Sequence, residues 1–440
     1  MNNIFLRNFF EMRYYFFILS VFCCVAFGYA QQNDTPNPVL PNMFSGGAGM
    51  TWINGEPFYQ ISLAPELTFG KFGVGLDVNL RFSGKTQQLR KEDFDEGYDF
   101  VRMIRYFRYG MKNDELYARL GRLDYARLGH GSILYLYNNS PSYDNRRVGL
   151  EFDMNFGTYG FETVYGDFAR AGVFGMRGYE KPLQYTSLAS LPVIGEMEAG
   201  VTLAGDMRDD ARGITFDTTS SSIIQKNHGS ITMFGFDFGF PIARMSTFQS
   251  TVYIDVVKII DYGGGTTIGW ENNIFGLGFV DIFTRIERRF PGDKFMFNYF
   301  DALYEIDRTQ KGLSLQTIAS QGPGIFGDLS VSLFGTLQVR GTYSKLDDIP
   351  KSGILHLATN TGTILPSIVI EAGYDKKYIE DNKDVFTLDE RSLLYASYGY
   401  KPYPYMTVAL VYIWTFREDA DGKFIPQKRV ESRVTFSYPF

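Results

Sequence analysis

Residues 429–440 alternate, with Val430, Val434, Phe436, Tyr438 and Phe440 on one side and Arg429, Glu431, Arg433, Thr435 and Ser437 on the other. Period two predicts a β-strand with one apolar and one wet face. The same pattern recurs upstream as hairpins whose register can be read from the sequence. A two-residue turn at Gly70-Lys71 pairs Phe69 with Phe72, Leu67 with Val74, Pro65 with Leu76, Leu63 with Val78 and Ile61 with Leu80, all apolar. The opposite face then pairs Thr68 with Gly73, Glu66 with Gly75, Ala64 with Asp77, Ser62 with Asn79 and Gln60 with Arg81. Glycine first in the turn fits a type II′ hairpin.

A second copy, Phe156-Gly157-Thr158-Tyr159, sets Met154 opposite Phe161 and Asp153 opposite Glu162. A third, Phe334-Gly335-Thr336-Leu337, needs a three-residue loop, which opposes Leu333 to Leu337 and Val331 to Val339. Phe69, Phe72, Phe156, Tyr159 and Phe334 then form an aromatic girdle at one end of the strands. Connections alternate between long and polar (417–428, 376–388, 306–325, 207–228, 125–145, 84–97) and short (near 400–404, 360–363, 334–336, 290–293, 240–244, 157–158, 110–114, 70–71). Every short turn therefore falls on one side. The segmentation finds about 20 strands, of which 45–53 and 171–179 are the weakest, and the expected number is about 18, with 16 to 20 allowed.

Strand alternation, 17% aromatic residues and 46 glycines, with no apolar run after residue 30 long enough for a transmembrane helix, place the chain in a membrane only as a closed sheet. A strand ending on an aromatic resembles the C-terminal strand of Gram-negative bacterial outer-membrane β-barrels. The resemblance is to porins at the level of architecture and extends over nearly the whole chain. It implies an all-β transmembrane antiparallel up-and-down barrel in the bacterial outer membrane, with short periplasmic turns, long outer loops and Phe440 read by the barrel-assembly machinery.

The other end agrees. Arg7 and Arg13 precede an apolar run from Tyr14 to Phe27, followed by Gly28-Tyr29-Ala30, the layout of a secretory signal peptide over 1–30, started from Met1 or Met12. Residues 31–44, with Pro36, Pro38 and Pro41, read as a periplasmic tail, and 45–440 as the barrel. Both cysteines, Cys23 and Cys24, fall within the signal, which excludes disulfides and thiolate metal sites from the rest. Loss of 1–30 moves the formal net charge from −6 to −7, which gives no footing to a nucleic-acid partner. No cofactor or metal is expected.

Candidate chemistry lies in the lumen. Arg102 and Arg108 are read on one strand face, Arg119 faces inward, and Arg146 with Arg147 opens the next strand; Glu66, Asp77, Asp153 and Glu162 are the acidic partners. Opposed charged walls set pore selectivity, as in porins. The segment 125–145, with His130, Tyr135, Tyr137 and Tyr143, suits a loop folded into the pore to narrow it, and equally a surface loop held by its own tyrosines. His130, Ser132 and Asp144 have the residue types of a hydrolase, but without a surrounding catalytic motif.

The reading is a channel for passive diffusion of small polar or charged solutes. It has two rivals. One is a non-conducting barrel serving adhesion, reception or secretion, and a weaker one is an outer-membrane hydrolase. The expected partners are outer-membrane lipid, lipopolysaccharide and a small polar solute, and the architecture admits a homotrimer. Channel and closed barrel differ in whether the lumen arginines are solvated or locked in ion pairs.

Overall fold

The computed structural model describes residues 43–439 apart from 96, 113, 125, 141–145, 218–223, 320–321, 363, 382 and 419–423. Twenty-two antiparallel strands form one sheet, and a separate two-stranded hairpin (Ile214–Asp217, Ile224–Asn227) stands outside it. Glu56–Leu63 runs on into Glu66–Phe69, and Phe72–Leu76 into Val78–Ser83, each pair broken by one or two residues. The sheet therefore has twenty staves, the upper end of the expected 16 to 20, and the two weakest segments of the sequence reading are strands, Met43–Ile53 and Val173–Glu180. The first strand, Met43–Ile53, pairs along its whole length with the last, Phe424–Pro439, so the circuit of hydrogen bonds returns to its start.

The three hairpin registers match the sequence reading. Phe69 faces Phe72, Leu63 faces Val78 and Gln60 faces Arg81. Asp153 faces Glu162, and Leu333 faces Leu337. Pro65 and Asp77 fall at the breaks between collinear strands. There the Leu76 amide still donates to the Pro65 carbonyl (3.0 Å), but the Asp77 amide turns to Met103 (2.8 Å).

Turn-side connections run two to seven residues, with 181–197 the exception. The sequence reading places 290–293 among them, and the structure corrects this. Pro291-Gly292 does end a strand, but the chain goes to the loop side and returns only at Gly324. A Pro-Gly pair signals that a strand stops, not how soon the next begins. The expected long loop 417–428 contracts to 419–423, because the last strand starts at Phe424.

Side-chain placement is inverted relative to a water-soluble protein. In Val280–Pro291, Ile286 is 61% exposed and Phe290 44%, while Arg285, Glu287 and Arg289 are 1 to 4% exposed. The girdle residues Phe69, Phe72, Phe156, Tyr159 and Phe334 are all exposed. Phe156 stacks on Tyr159 at 4.9 Å. A closed sheet with apolar groups outward and charges inward satisfies every strand edge and presents hydrocarbon to hydrocarbon.

The seam between first and last strands depends on glycine. A Cβ on Gly47 would lie 2.1 Å from the Val434 carbonyl oxygen, and one on Gly49 1.9 Å from that of Ser432. We expect Gly49→Val to lower stability by about 1–3 kcal/mol through overpacking, read as a lower urea midpoint in lipid vesicles. Gly178→Ala, where a Cβ meets nothing within 4 Å, should leave the midpoint unchanged.

Candidate functional site

Two loop-side connections enter the barrel and divide its lumen. Residues 131–140 are buried throughout, and so are Phe295, Tyr299, Phe300 and the inward face of the helix Tyr304–Thr317. The two segments are joined through backbone. The Tyr135 amide donates to Phe300 (3.1 Å), Phe300 to Ile133 (3.1 Å) and Asn298 to Ser132 (2.9 Å). Leu123, Ile133, Leu134, Tyr137, Phe300 and Tyr304 build one apolar core with wall residues such as Val164, Ile231 and Val257. This half of the lumen is packed.

Arg177, Arg147, Arg308 and Lys311 of the packed half are paired with carboxylates. Arg177 grips Asp237 with two bonds (2.9 and 2.6 Å) and reaches Glu162 (3.1 Å) and Glu198 (2.7 Å). Glu305 lies between Arg147 and Arg308, and also accepts from the Tyr137 hydroxyl (2.6 Å); Arg308 continues to Asp206 (2.6 Å). Burial alone would raise the Glu305 pKa, but Arg147 and Arg308 outweigh it and hold the carboxyl down at about 2. Lys311 bonds Asp301 (2.9 Å), and Lys377 bonds Asp307 (2.9 Å). A buried charge needs such partners, since its desolvation is otherwise uncompensated.

Along the opposite wall runs a cavity of about 350 Å³. It starts among Ser45, Gly46 and Thr435 near the turn side and reaches Arg81 and Arg429 near the loop side. Ser45 pairs with Ser437, and Ile53 with Arg429, eight residue steps apart. At roughly 3.3 Å per residue the lining spans about 26 Å of strand. Five arginines (81, 122, 146, 429 and 433) and four carboxylates (Asp77, Asp124, Asp375, Glu431) line it. Arg146 contacts Asp77 at 2.9 Å, Arg122 contacts Asp124 at 2.5 Å, and Glu431 accepts from both Arg429 and Arg433. Asn138 and Ser140 of the inserted segment form the facing wall.

The residues singled out from sequence separate between the two halves. Asp77 and Arg146 line the cavity. Arg119 contacts Asp124 (3.3 Å) on the cavity's edge, and Glu66 binds Arg105 (2.8 Å). Arg108 sits opposite Arg119 and donates to the Gly110 carbonyl (3.3 Å). Asp153 faces Lys112 (3.3 Å), and Glu162 belongs to the Arg177 cluster. Arg102 ends a short helix, Gly97–Arg102, so it does not share a strand face with Arg108.

His130 stacks on Tyr253 with ring centres 3.8 Å apart. Burial, reinforced by Arg177, Arg127 and Arg285, pushes its pKa well below the usual imidazole range. The Tyr135 hydroxyl donates to Asp328 and that of Tyr137 to Glu305, so both face carboxylates inside the packed half. Ser132 Oγ is 3.4 Å from Thr267 Oγ1. Tyr143, Asp144 and Phe440 lie outside the described residues.

Sequence reasoning missed Arg81, Arg429, Arg433 and Glu431 as cavity residues, although their polar alternation on strands was visible. It also missed the helix Tyr304–Thr317. Its face Tyr304, Glu305, Arg308, Lys311, Gly312 and Leu315 is buried, yet half of it is charged, so no apolar stripe announces it.

This architecture defines a transmembrane β-barrel of the bacterial outer-membrane type. No protein-family model matches the chain, and no curated protein matches it in sequence. Solved structures similar to it include OccK11 (OpdR) of Pseudomonas aeruginosa, at 10% identity over 91% of this chain and 95% of that one, with a TM-score of 0.31. Wzi of Escherichia coli, described as a carbohydrate-binding β-barrel involved in capsule assembly, gives 11% identity over 91% and 85%, with a TM-score of 0.36. OmpT of Vibrio cholerae gives 9% over 92% and 100%, with a TM-score of 0.29.

Glu305 is the keystone of the packed half. We expect Glu305→Ala to destabilise the inserted segments by about 3–5 kcal/mol, because Arg147 and Arg308 lose a buried counter-charge. The readout is hydrogen exchange: protection across 299–317 should fall while the wall strands keep theirs. A depressed carboxyl pKa stabilises the fold above the unfolded value of roughly 4.3 and ceases to do so below the folded one. The wild-type protection should therefore hold from pH 7 to 5 and decay as pH drops from about 4 toward 2.

Proposed function

We propose that this barrel is a channel for small polar solutes, conducting through the charged cavity beside its packed half. The observation that carries the reading is the cavity's course. Its lining extends from the turn-side row of Ser45 to the loop-side row of Arg429, bounded on one flank by the wall and on the other by Asn138 and Ser140. The inserted 122–140 segment is then the element that narrows the pore. One arginine in excess over the carboxylates favours anions slightly. Arginines are ion-paired in the packed half (Arg177, Arg147, Arg308) and on the cavity wall alike (Arg146, Arg122, Arg429, Arg433), which favours a non-conducting barrel as the second reading; the channel reading rests on the cavity's course.

Single-channel recording in a planar bilayer is the test. Steady open steps are expected. Ser62→Trp, which fills part of the cavity, should lower the step conductance by about twofold or more, and Arg146→Glu should shift the reversal potential in a salt gradient toward cations. A silent bilayer from a folded barrel would overturn the channel reading and leave the closed barrel.

A further inference from the structure

The long turn-side connection 181–197 stands apart in length from the other turn-side connections. Three short 3₁₀ turns, Pro182–Tyr185, Ser187–Ser190 and Ile194–Glu196, fold it into a compact unit. Gln184 donates to the Gly195 carbonyl (2.7 Å), Lys181 pairs with Glu196 (2.9 Å), and Thr186 accepts from the Leu188 amide (3.2 Å). Val193, at φ 72° and ψ −58°, sits at the centre of a γ-turn closed by the Ile194 amide donating to Pro192 (2.8 Å).

This ordered unit spends its polar groups internally and turns apolar side chains outward. Tyr185 is 62% exposed, Leu188 41%, Leu191 42% and Ile194 51%. In water such a cluster would be unfavourable.

Its position supplies a covering. The connection leaves the sheet at Glu180, opposite the girdle residue Tyr159, and rejoins it at Glu198, beside Phe238 and Phe240 of the lipid face. It is tied to the girdle turn at two points: the Lys181 amide donates to the Thr158 carbonyl (2.7 Å), and the Tyr185 hydroxyl lies 3.3 Å from Thr158 Oγ1. The apolar cluster thus continues the lipid-facing belt at its turn-side edge.

We propose that 181–197 is an interfacial membrane-binding element, with Tyr185, Leu188, Leu191 and Ile194 seated at the boundary of headgroups and acyl chains in the leaflet next to the turns. Aromatic and aliphatic groups on a polar-backed unit favour that depth. Lipid is the occupant because the cluster adjoins a surface that lipid already covers.

The test uses the full chain with Cys23 and Cys24 replaced by serine, so that one introduced thiol carries an environment-sensitive fluorophore. Leu188→Cys and Ile194→Cys are labelled, with Tyr185→Cys in reserve should either fail to fold. Lys226→Cys, exposed on the outer hairpin, is the aqueous reference. Each is refolded into phosphatidylcholine vesicles. Labels at 188 and 194 should emit further to the blue and be quenched at least about twofold more by lipid brominated near the glycerol than the label at 226. Quenching by aqueous iodide equal to that at 226, without bromolipid quenching, would overturn the proposal and mark the cluster as a surface for a periplasmic protein or a second copy.

Discussion

Hydrocarbon offers a backbone amide or carbonyl no partner, and each unpaired group there costs several kcal/mol. The ring of pairings from Met43–Ile53 round to Phe424–Pro439 answers that constraint, and the other features follow from it. Closure demands close approach at the seam, which is why Gly47 and Gly49 lie against the Val434 and Ser432 carbonyls. It also forces successive side chains to alternate between lipid and lumen, so every strand carries an apolar set and a polar set with opposite fates.

A ring of twenty staves encloses more space than its inward side chains fill. The protein fills one half with its own chain. Segments 122–140 and 292–318 bring a small apolar core into the barrel; their charged margin meets the wall in the Arg147–Glu305–Arg308–Asp206 chain, and the Gly129 amide donates to Glu162 of the wall's own Arg177 cluster. Apolar contact supplies the cohesion of this insert. The ion pairs set its position, since each arginine has carboxylates at particular places on the wall.

The other half holds a polar cavity. There the same residue types, arginines with carboxylates within 3 Å, border a cavity and not a packed core. Asp77, Arg146 and Glu431 border this cavity between the wall and the insert. On the turn side the apolar belt ends in a girdle, and the 181–197 unit extends that edge outward from the sheet.

Much of this was legible in the chain itself, because a hairpin is a local object. Two strands and a turn contain everything that decides which side chain meets which, so Leu63 opposite Val78 and Asp153 opposite Glu162 could be read directly. The inward direction of Arg119, Asp77 and Glu162 followed from period two. What alternation cannot encode is where a chain goes once it leaves a strand. Pro291-Gly292 reads as a tight turn, yet the next residues enter the lumen, because their partners Ile133, Asp206 and Arg147 lie far back in the sequence. The seam, the burial of Tyr135 and Tyr137, and the division of the arginines between a packed core and a cavity wall were all decided by tertiary structure. Each depends on groups remote in sequence meeting across a lumen whose shape exists only once the ring is closed.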